Sequence, residues 1–224
     1  MRRLSIVMPV LDEAAGIQAT LQALAPLRAR GHELIVVDGG SGDGTKVLAA
    51  GAADLVIDAP RGRALQMNAG AARASGDVLL FLHADTLLPE GADLHVQQAL
   101  DSGRRWGRFD VRIGGGSRWL SLIGALMNLR SRLSGIATGD QAIFVERALF
   151  EQLGGYAELP LMEDVELSRR LRAISRPACL AERVLTSGRR WETRGVWRTV
   201  FLMWRLRWRY WRGEAPETLA RAYR

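Results

Sequence analysis

Cysteine is nearly missing from these 224 residues: Cys179 stands alone, so no disulfide forms within the chain, and a reducing compartment suits it. Lysine is as scarce, with Lys46 the only one among 31 Lys and Arg residues; a coding bias towards arginine explains that as well as any function does. No apolar run reaches the roughly 18 residues of a membrane span. The longest, 119 to 129 and 199 to 204, are both bounded by arginines. Met1-Arg2-Arg3 and the apolar stretch from Leu4 begin like a signal peptide, but Pro9 and Asp12-Glu13 cut the run short and no small-x-small site follows. A cytoplasmic first strand is expected instead. Internal repeats and low-complexity linkers are also lacking, which excludes solenoids and flexibly tethered modules.

What remains is a chain that is 48% hydrophobic, enough to bury the core of one large domain. Its charge is uneven. Residues 1 to 188 carry 21 basic and 21 acidic side chains, whereas 189 to 224 carry ten Arg against three Glu. A neutral body with a cationic tail points the tail at an anionic surface.

The patterning alternates strand and helix. Leu4 to Val10 reads as a strand, with Asp12 expected to cap a helix whose apolar face is Ile17, Leu21, Leu24 and Leu27. Strands follow at Glu33 to Asp38, Asp54 to Ala59 and the apolar run from Val78, with helices between them. That rhythm predicts an α/β fold with a Rossmann-like, mostly parallel central sheet and flanking helices. After Asp85 the pattern becomes mixed: a helix from Pro89 to about Leu100, a strand over Trp106 to Ile113, a helix from Ser117 to Leu133, a strand at Gln141 to Val145, and a helix from Glu163 to Ile174 with Val165, Leu167, Leu171 and Ile174 inward.

Three segments carry chemistry. Asp85 follows the buried strand at Val78, where open α/β sheets bind ligands, although a loop aspartate capping the next helix reads equally well. Asp38 faces Gly40-x-Gly42-x-Gly44, which lacks both the G-x-G-x-x-G order and the G-K-[ST] of nucleotide loops. It suits contact with a nucleobase or ribose; the plainer reading is a turn in which Asp43 or Thr45 caps a helix. Glu163-Asp164 opens a helix, where the N-terminal dipole favours ionised carboxylates that can act as a general base, and simple capping is the alternative. If a diphosphate is present, one carboxylate such as Asp85 is enough to share Mg²⁺ or Mn²⁺ with it.

Taken together and in order, Ser5 to Glu13, Ile35 to Thr45, Asn68-Ala69-Gly70 with Ser75-Gly76-Asp77, Leu82-His83-Ala84-Asp85, Gly154-Gly155-Tyr156 and Glu163-Asp164-Val165-Glu166-Leu167 resemble the family 2 glycosyltransferases of the GT-A fold. The likeness covers about residues 4 to 174, and His83-Ala84-Asp85-Thr86, Met162-Glu163-Asp164 and 186 to 191 look most like a short bacterial subgroup labelled arsenosugar-biosynthesis glycosyltransferases. The resemblance implies one glycosyltransferase domain over 1–190, with a nucleotide-sugar half (1–113) and a mixed acceptor half (114–190). It also implies a UDP- or GDP-sugar donor, a hydroxyl acceptor and a divalent cation, Mn²⁺ or Mg²⁺. Pro9, Leu11, Glu13 and Asp38 would line the nucleoside pocket, with Arg63, His83 and Arg190 at base, ribose or phosphate. Asp85 matches the metal-binding last position of the family's D-x-D motif, and Asp164 the catalytic base of an inverting transfer, with Glu163 beside it. His83 departs from the usual first Asp of that motif, which lowers the expected metal affinity. Ser187 occupies the Gln position of the processive Q-x-x-R-W signature, so a single transfer is expected.

The tail, 191–224, places Trp197, Phe201, Trp204, Trp208 and Trp211 on one helical face beside Arg198, Arg205, Arg209 and Arg212. This fits a peripheral contact with an anionic membrane through 195–212 at its cytoplasmic face, and a hydrophobic acceptor. Packing on the body or on a second subunit of a homo-oligomer is the alternative. Nucleic acid is not expected, because no binding fold accompanies the arginines. Two other functions compete: a non-catalytic nucleotide-binding protein of this fold, and a sugar-phosphate nucleotidylyltransferase, whose glycine-rich signature Leu11-Asp12-Glu13-Ala14 does not supply.

Overall fold

The computed structural model describes residues 1–223. Among them one eight-stranded sheet runs in the order β3-β2-β1-β4-β7-β6-β8-β5. Its first half is the parallel layer predicted from the alternating pattern: β1 (Leu4–Val10) lies between β2 (Glu33–Asp38) and β4 (Val78–Phe81), and β3 (Leu55–Asp58) forms the edge. Continuous Val/Ile/Leu runs suit these strands because helices cover both faces. On one face α1 (Ile17–Ala29) buries Ile17, Leu21, Leu24 and Leu27, and on the other α3 (Arg63–Arg73) buries Met67 and Ala71. The short α2 (Thr45–Ala50) joins β2 to β3.

The second half mixes directions, as expected. β7 (Phe144–Glu146) is antiparallel to both β4 and β6 (Trp106–Ile113), while β8 (Ala178–Thr186) is parallel to β6 and closes on the two-residue β5 (Thr86–Leu87). The helices here are α4 (Ala92–Asp101), α5 (Arg118–Ser134), α6 (Arg147–Gln152) and α7 (Glu163–Ile174), followed by α8 (Arg189–Arg194), α9 (Val196–Trp211) and α10 (Pro216–Tyr223).

Several local expectations differ. Asp12 caps no helix: it adopts φ 52° and accepts a hydrogen bond from the Gly42 N–H at 2.8 Å. The Ser41 hydroxyl accepts from the Asp12 N–H, Thr45 Oγ1 from the Glu13 N–H, and Asp43 from the Ala14 N–H. The two loops after β1 and β2 are thus latched together, which is the structural work of the glycine-rich turn. The strand expected from Gln141 begins only at Phe144, because Gly139–Gln141 form a 3-10 turn. Ile174 is exposed rather than inward, since it is the last residue of α7. β8 had no counterpart in the sequence reading, because Ala178–Thr186 interrupts its apolar residues with Glu182 and Arg183.

The α3 helix can lie so close to the sheet only because residue 70 is glycine. A Cβ there would sit 2.4 Å from Val7 Cγ1 and 2.9 Å from Val37 Cγ2, both on rigid, fully buried strands. Gly70→Ala gains about 1 kcal/mol of helix propensity, but overpacking a core costs about 1–3 kcal/mol. A net loss of up to about 2 kcal/mol is expected, read as a lower urea midpoint at unchanged slope; a higher midpoint would show that the sheet yields.

Candidate active site

The C-terminal ends of β1 and β4 open onto a cavity of about 720 Å³. Nine of the ten site residues singled out from the sequence line it: Pro9, Leu11, Glu13, Arg63, His83, Asp85, Glu163, Asp164 and Arg190. Asp38 does not. Its carboxylate turns back into its own loop and accepts from the Gly40 and Ser41 N–H groups and the Ser41 hydroxyl, so it serves as a turn cap.

Asp85 is placed by the junction of β4, β5 and β8. Its carbonyl accepts the Ser187 N–H at 3.1 Å, and the neighbouring Thr86 and Thr186 hydroxyls bond across the β5–β8 pair at 2.9 Å. Among the described residues its carboxylate receives only a long bond, 3.5 Å, from the Thr86 hydroxyl, and Asp85 lines the cavity. Among the described residues no three His, Cys, Asp or Glu groups stand together as a metal cage. One hard oxygen donor beside open space does not suit a protein-only site, but it fits a Mg²⁺ or Mn²⁺ ion that a diphosphate and water help to hold.

Facing the cavity from the other half, Met162 adopts a left-handed φ of 69° and turns the chain into α7, so that Glu163 and Asp164 open its first turn. Such strain in a non-glycine residue gathers at working sites. Asp164 accepts the Gly139 N–H at 2.8 Å and the Val165 N–H at 2.7 Å. Burial nevertheless raises its pKa, and the charge of Asp140 adds to the rise. Burial, and then the charge of Asp164, lifts Glu163 to about 7. The two carboxyls titrate as a pair, and adjacent acids with upward-shifted pKa values are suited to proton transfer near neutrality.

Two of the cations that line the cavity with them are Arg63 and Arg190. Desolvation opposes the charge of Arg63, but Tyr223, Glu163, Asp140 and Asp164 outweigh it and raise its pKa. Arg190 lies over the Tyr223 ring at 3.6 Å and donates to its hydroxyl. Glu13 pairs with Arg189 at 3.2 Å. His83 Nδ1 is 3.3 Å from Asp140; burial would raise the pKa of that carboxyl, but His83, Arg63 and Arg190 outweigh it and lower it.

Asp140 escaped the sequence reading, although the polar Thr138-Gly139-Asp140-Gln141 ahead of an apolar strand was a usable signal. Arg130 escaped it too. It is half-buried, its Nε and Nη2 lack hydrogen-bond partners, and burial lowers its pKa against the opposing charge of Asp164. The tail also contributes to the site: Thr199, Met203 and Arg207 of α9 and Tyr223 of α10 line the cavity, which no spacing rule foretold.

A parallel layer that meets a mixed half, with a half-buried strand-end carboxylate on one side of the cleft and a helix-opening acid pair on the other, is the architecture of GT-A glycosyltransferases. Residues 5–148 match the family described as "Glycosyl transferase family 2", and the chain belongs to that family. It is 32% identical over 190 residues to an uncharacterized glycosyltransferase of Mycobacterium tuberculosis, covering 79% of this chain and 71% of that one. It is 33% identical over 165 residues to a PGL/p-HBAD biosynthesis glycosyltransferase of the same organism, covering 68% of this chain and 62% of the relative. Among solved structures, S. aureus TarS 1-349 in complex with UDP-GlcNAc superposes with a TM-score of 0.67 at 17% identity, over 83% of this chain and 58% of that one. A mannosyltransferase from Pyrobaculum calidifontis in complex with GDP-Man and Mn²⁺ reaches 0.67 at 20% identity, over 99% and 69%. Glucosyl-3-phosphoglycerate synthase from M. tuberculosis, in complex with Mn²⁺, UDP and phosphoglyceric acid, reaches 0.58 at 21% identity, over 81% and 68%. Identities this low concern the fold.

Proposed function

We propose that the protein transfers one sugar from a UDP- or GDP-sugar to a hydroxyl acceptor with inversion, Asp164 acting as general base. The observation that carries this reading is the buried Glu163–Asp164 pair with raised pKa values, opening into the same cavity as the carboxylate of Asp85.

Pro9 and Leu11 at the end of β1 form the nucleoside side of the cavity, and Arg63 and Arg190 supply positive charge for the diphosphate. A divalent cation held by Asp85 together with the donor's phosphates would add Lewis-acid neutralisation of the leaving group. In the transfer, the acceptor oxygen bonds to the anomeric carbon as the bond from that carbon to the diphosphate oxygen breaks. The acceptor's proton passes to Asp164, whose other hydrogen bonds, from the Gly139 and Val165 N–H groups, hold its oxygens in place. The two arginines stabilise the charge that develops on the departing nucleoside diphosphate. The cavity wall beyond the acid pair is partly apolar, with Leu161, Met162 and Met203, which favours an acceptor with a hydrophobic portion.

The test is release of nucleoside diphosphate from a panel of UDP- and GDP-sugars with Mn²⁺ or Mg²⁺. Turnover of one donor is the expected result; a chain that neither turns over nor binds any of them would overturn the reading. The pH profile carries a further prediction. The base works only when ionised, and burial raises Asp164 above its ordinary value while its neighbour Glu163 stands at about 7. kcat/KM is therefore expected to climb with pH over a limb displaced above the ordinary carboxylate range of about 4 and to level off beyond it. A plateau already reached at pH of about 5 would show that neither acid limits the rate.

A further inference from the structure

Two helices leave an apolar face uncovered. On α9, Trp197, Phe201, Trp204, Trp208 and Trp211 are all exposed, Trp211 by 78%. The helix is not loosely attached: its opposite face buries Thr199 and Leu206 and packs Leu202, Met203 and Tyr210 around Leu161, Met162 and Leu219. Packing on the body, the alternative weighed from the sequence, is seen where Trp197 meets Trp119 of α5, yet all five residues keep at least half of their surface exposed. A second stripe lies on α5, where Trp119, Leu122, Leu126, Leu129 and Leu133 are exposed at steps of three and four, which makes them neighbours along one helical face. The two stripes join where the rings of Trp119 and Trp197 meet edge to face, 5.0 Å apart. Together they expose on the order of 1,000 Å² of apolar surface, against the roughly 300–600 Å² of the largest patch on a typical monomer.

Charge identifies the occupant. Neither α5 nor α9 contains a single Asp or Glu, while Arg118, Arg198, Arg205 and Arg212 stand exposed beside the stripes. A second copy docking on this face by a two-fold axis would set arginine against arginine with no carboxylate between them. An anionic lipid surface meets both demands, since tryptophans settle at headgroup level and arginine stems reach the phosphates.

We infer that α5 and α9 together form a docking surface for an anionic bilayer, on which the enzyme lies peripherally with its cavity beside the lipid headgroups. α9 has one face for each role: Thr199, Met203 and Arg207 line the cavity while the tryptophans enter the bilayer. The surface stands independently of the catalytic reading, because binding needs neither donor nor turnover.

The experiment is co-sedimentation of the full chain with vesicles of phosphatidylcholine alone or of an equal mixture with phosphatidylglycerol. Binding to the mixed vesicles, weakened by salt and accompanied by a blue shift of tryptophan emission, is expected, with little binding to phosphatidylcholine alone. Trp204→Ala with Trp208→Ala, and separately Leu126→Ser with Leu129→Ser, should each lower the partition coefficient about tenfold or more. Leu94→Ser, at an exposed leucine on α4, should not. Circular dichroism of every variant confirms the fold. The inference is overturned if the native chain ignores both vesicles, if only the α9 variant loses binding, or if sedimentation shows a dimer that the same substitutions dissolve.

Discussion

Asp164→Asn is expected to cut sugar transfer by roughly 10³-fold, within the 10²–10⁴ that a positioned general base contributes, while binding of the nucleotide changes little. The substitution keeps the shape and one carbonyl oxygen for the Gly139 or Val165 N–H, so the loop 135–139 and the start of α7 remain placed. It removes the negative charge that helps to hold the Glu163 pKa up, so the residual activity should show its acid limb at lower pH than the native enzyme. That second readout separates a lost base from a disturbed fold, which would depress the rate without moving the profile. Glu163→Gln provides the complementary case. If Glu163 is the base instead, its variant will show the larger loss and the roles are reversed.

Asp85→Ala should weaken metal-linked nucleotide binding by about a hundredfold or more, because among the described residues no set of three His, Cys, Asp or Glu groups is there to hold the ion without it. Titration calorimetry of UDP and GDP with Mn²⁺, repeated in a chelator, reads the effect directly. The variant with Mn²⁺ should bind as weakly as the native chain without it. Equal metal dependence in both proteins would remove Asp85 from the metal site and leave Asp140, paired with His83, as the group to test next.

Much of the first half was legible because buried parallel strands write themselves as unbroken apolar runs and their helices as clear stripes. The residues that carried the resemblance proved to be of two kinds. Asp85, Glu163 and Asp164 face the cavity, but Asn68 clamps the Gly155-Tyr156 turn through both its amide groups, at 2.8 and 2.9 Å from the Tyr156 carbonyl and N–H. Likewise Asp43 and Thr45 latch the first two loops. Residue type alone does not distinguish a carboxylate that faces the cavity from one that bonds its own loop, as Asp38 does. β8 was missed because Glu182 and Arg183 break its apolar run where the register with β6 shifts, and the contribution of α9 and α10 to the cavity was missed because it depends on chain return over more than a hundred residues. The Trp/Arg periodicity of the tail was plain in the sequence; that its inner face would reach the site was not.

The stacking of Arg190 on Tyr223 has a thermodynamic consequence for every ligand of the cavity. The guanidinium is not waiting in solvent but already has a ring beneath it and a hydroxyl accepting from it. An anion that recruits Arg190 finds its Nε without a hydrogen-bond partner among the described residues and competes with Tyr223 for the other donors, and the observed affinity is net of that competition. If the diphosphate meets Arg190 as proposed above, donor capture and the seating of the last helix are linked equilibria, and whatever loosens α10 would tighten the hold on phosphate.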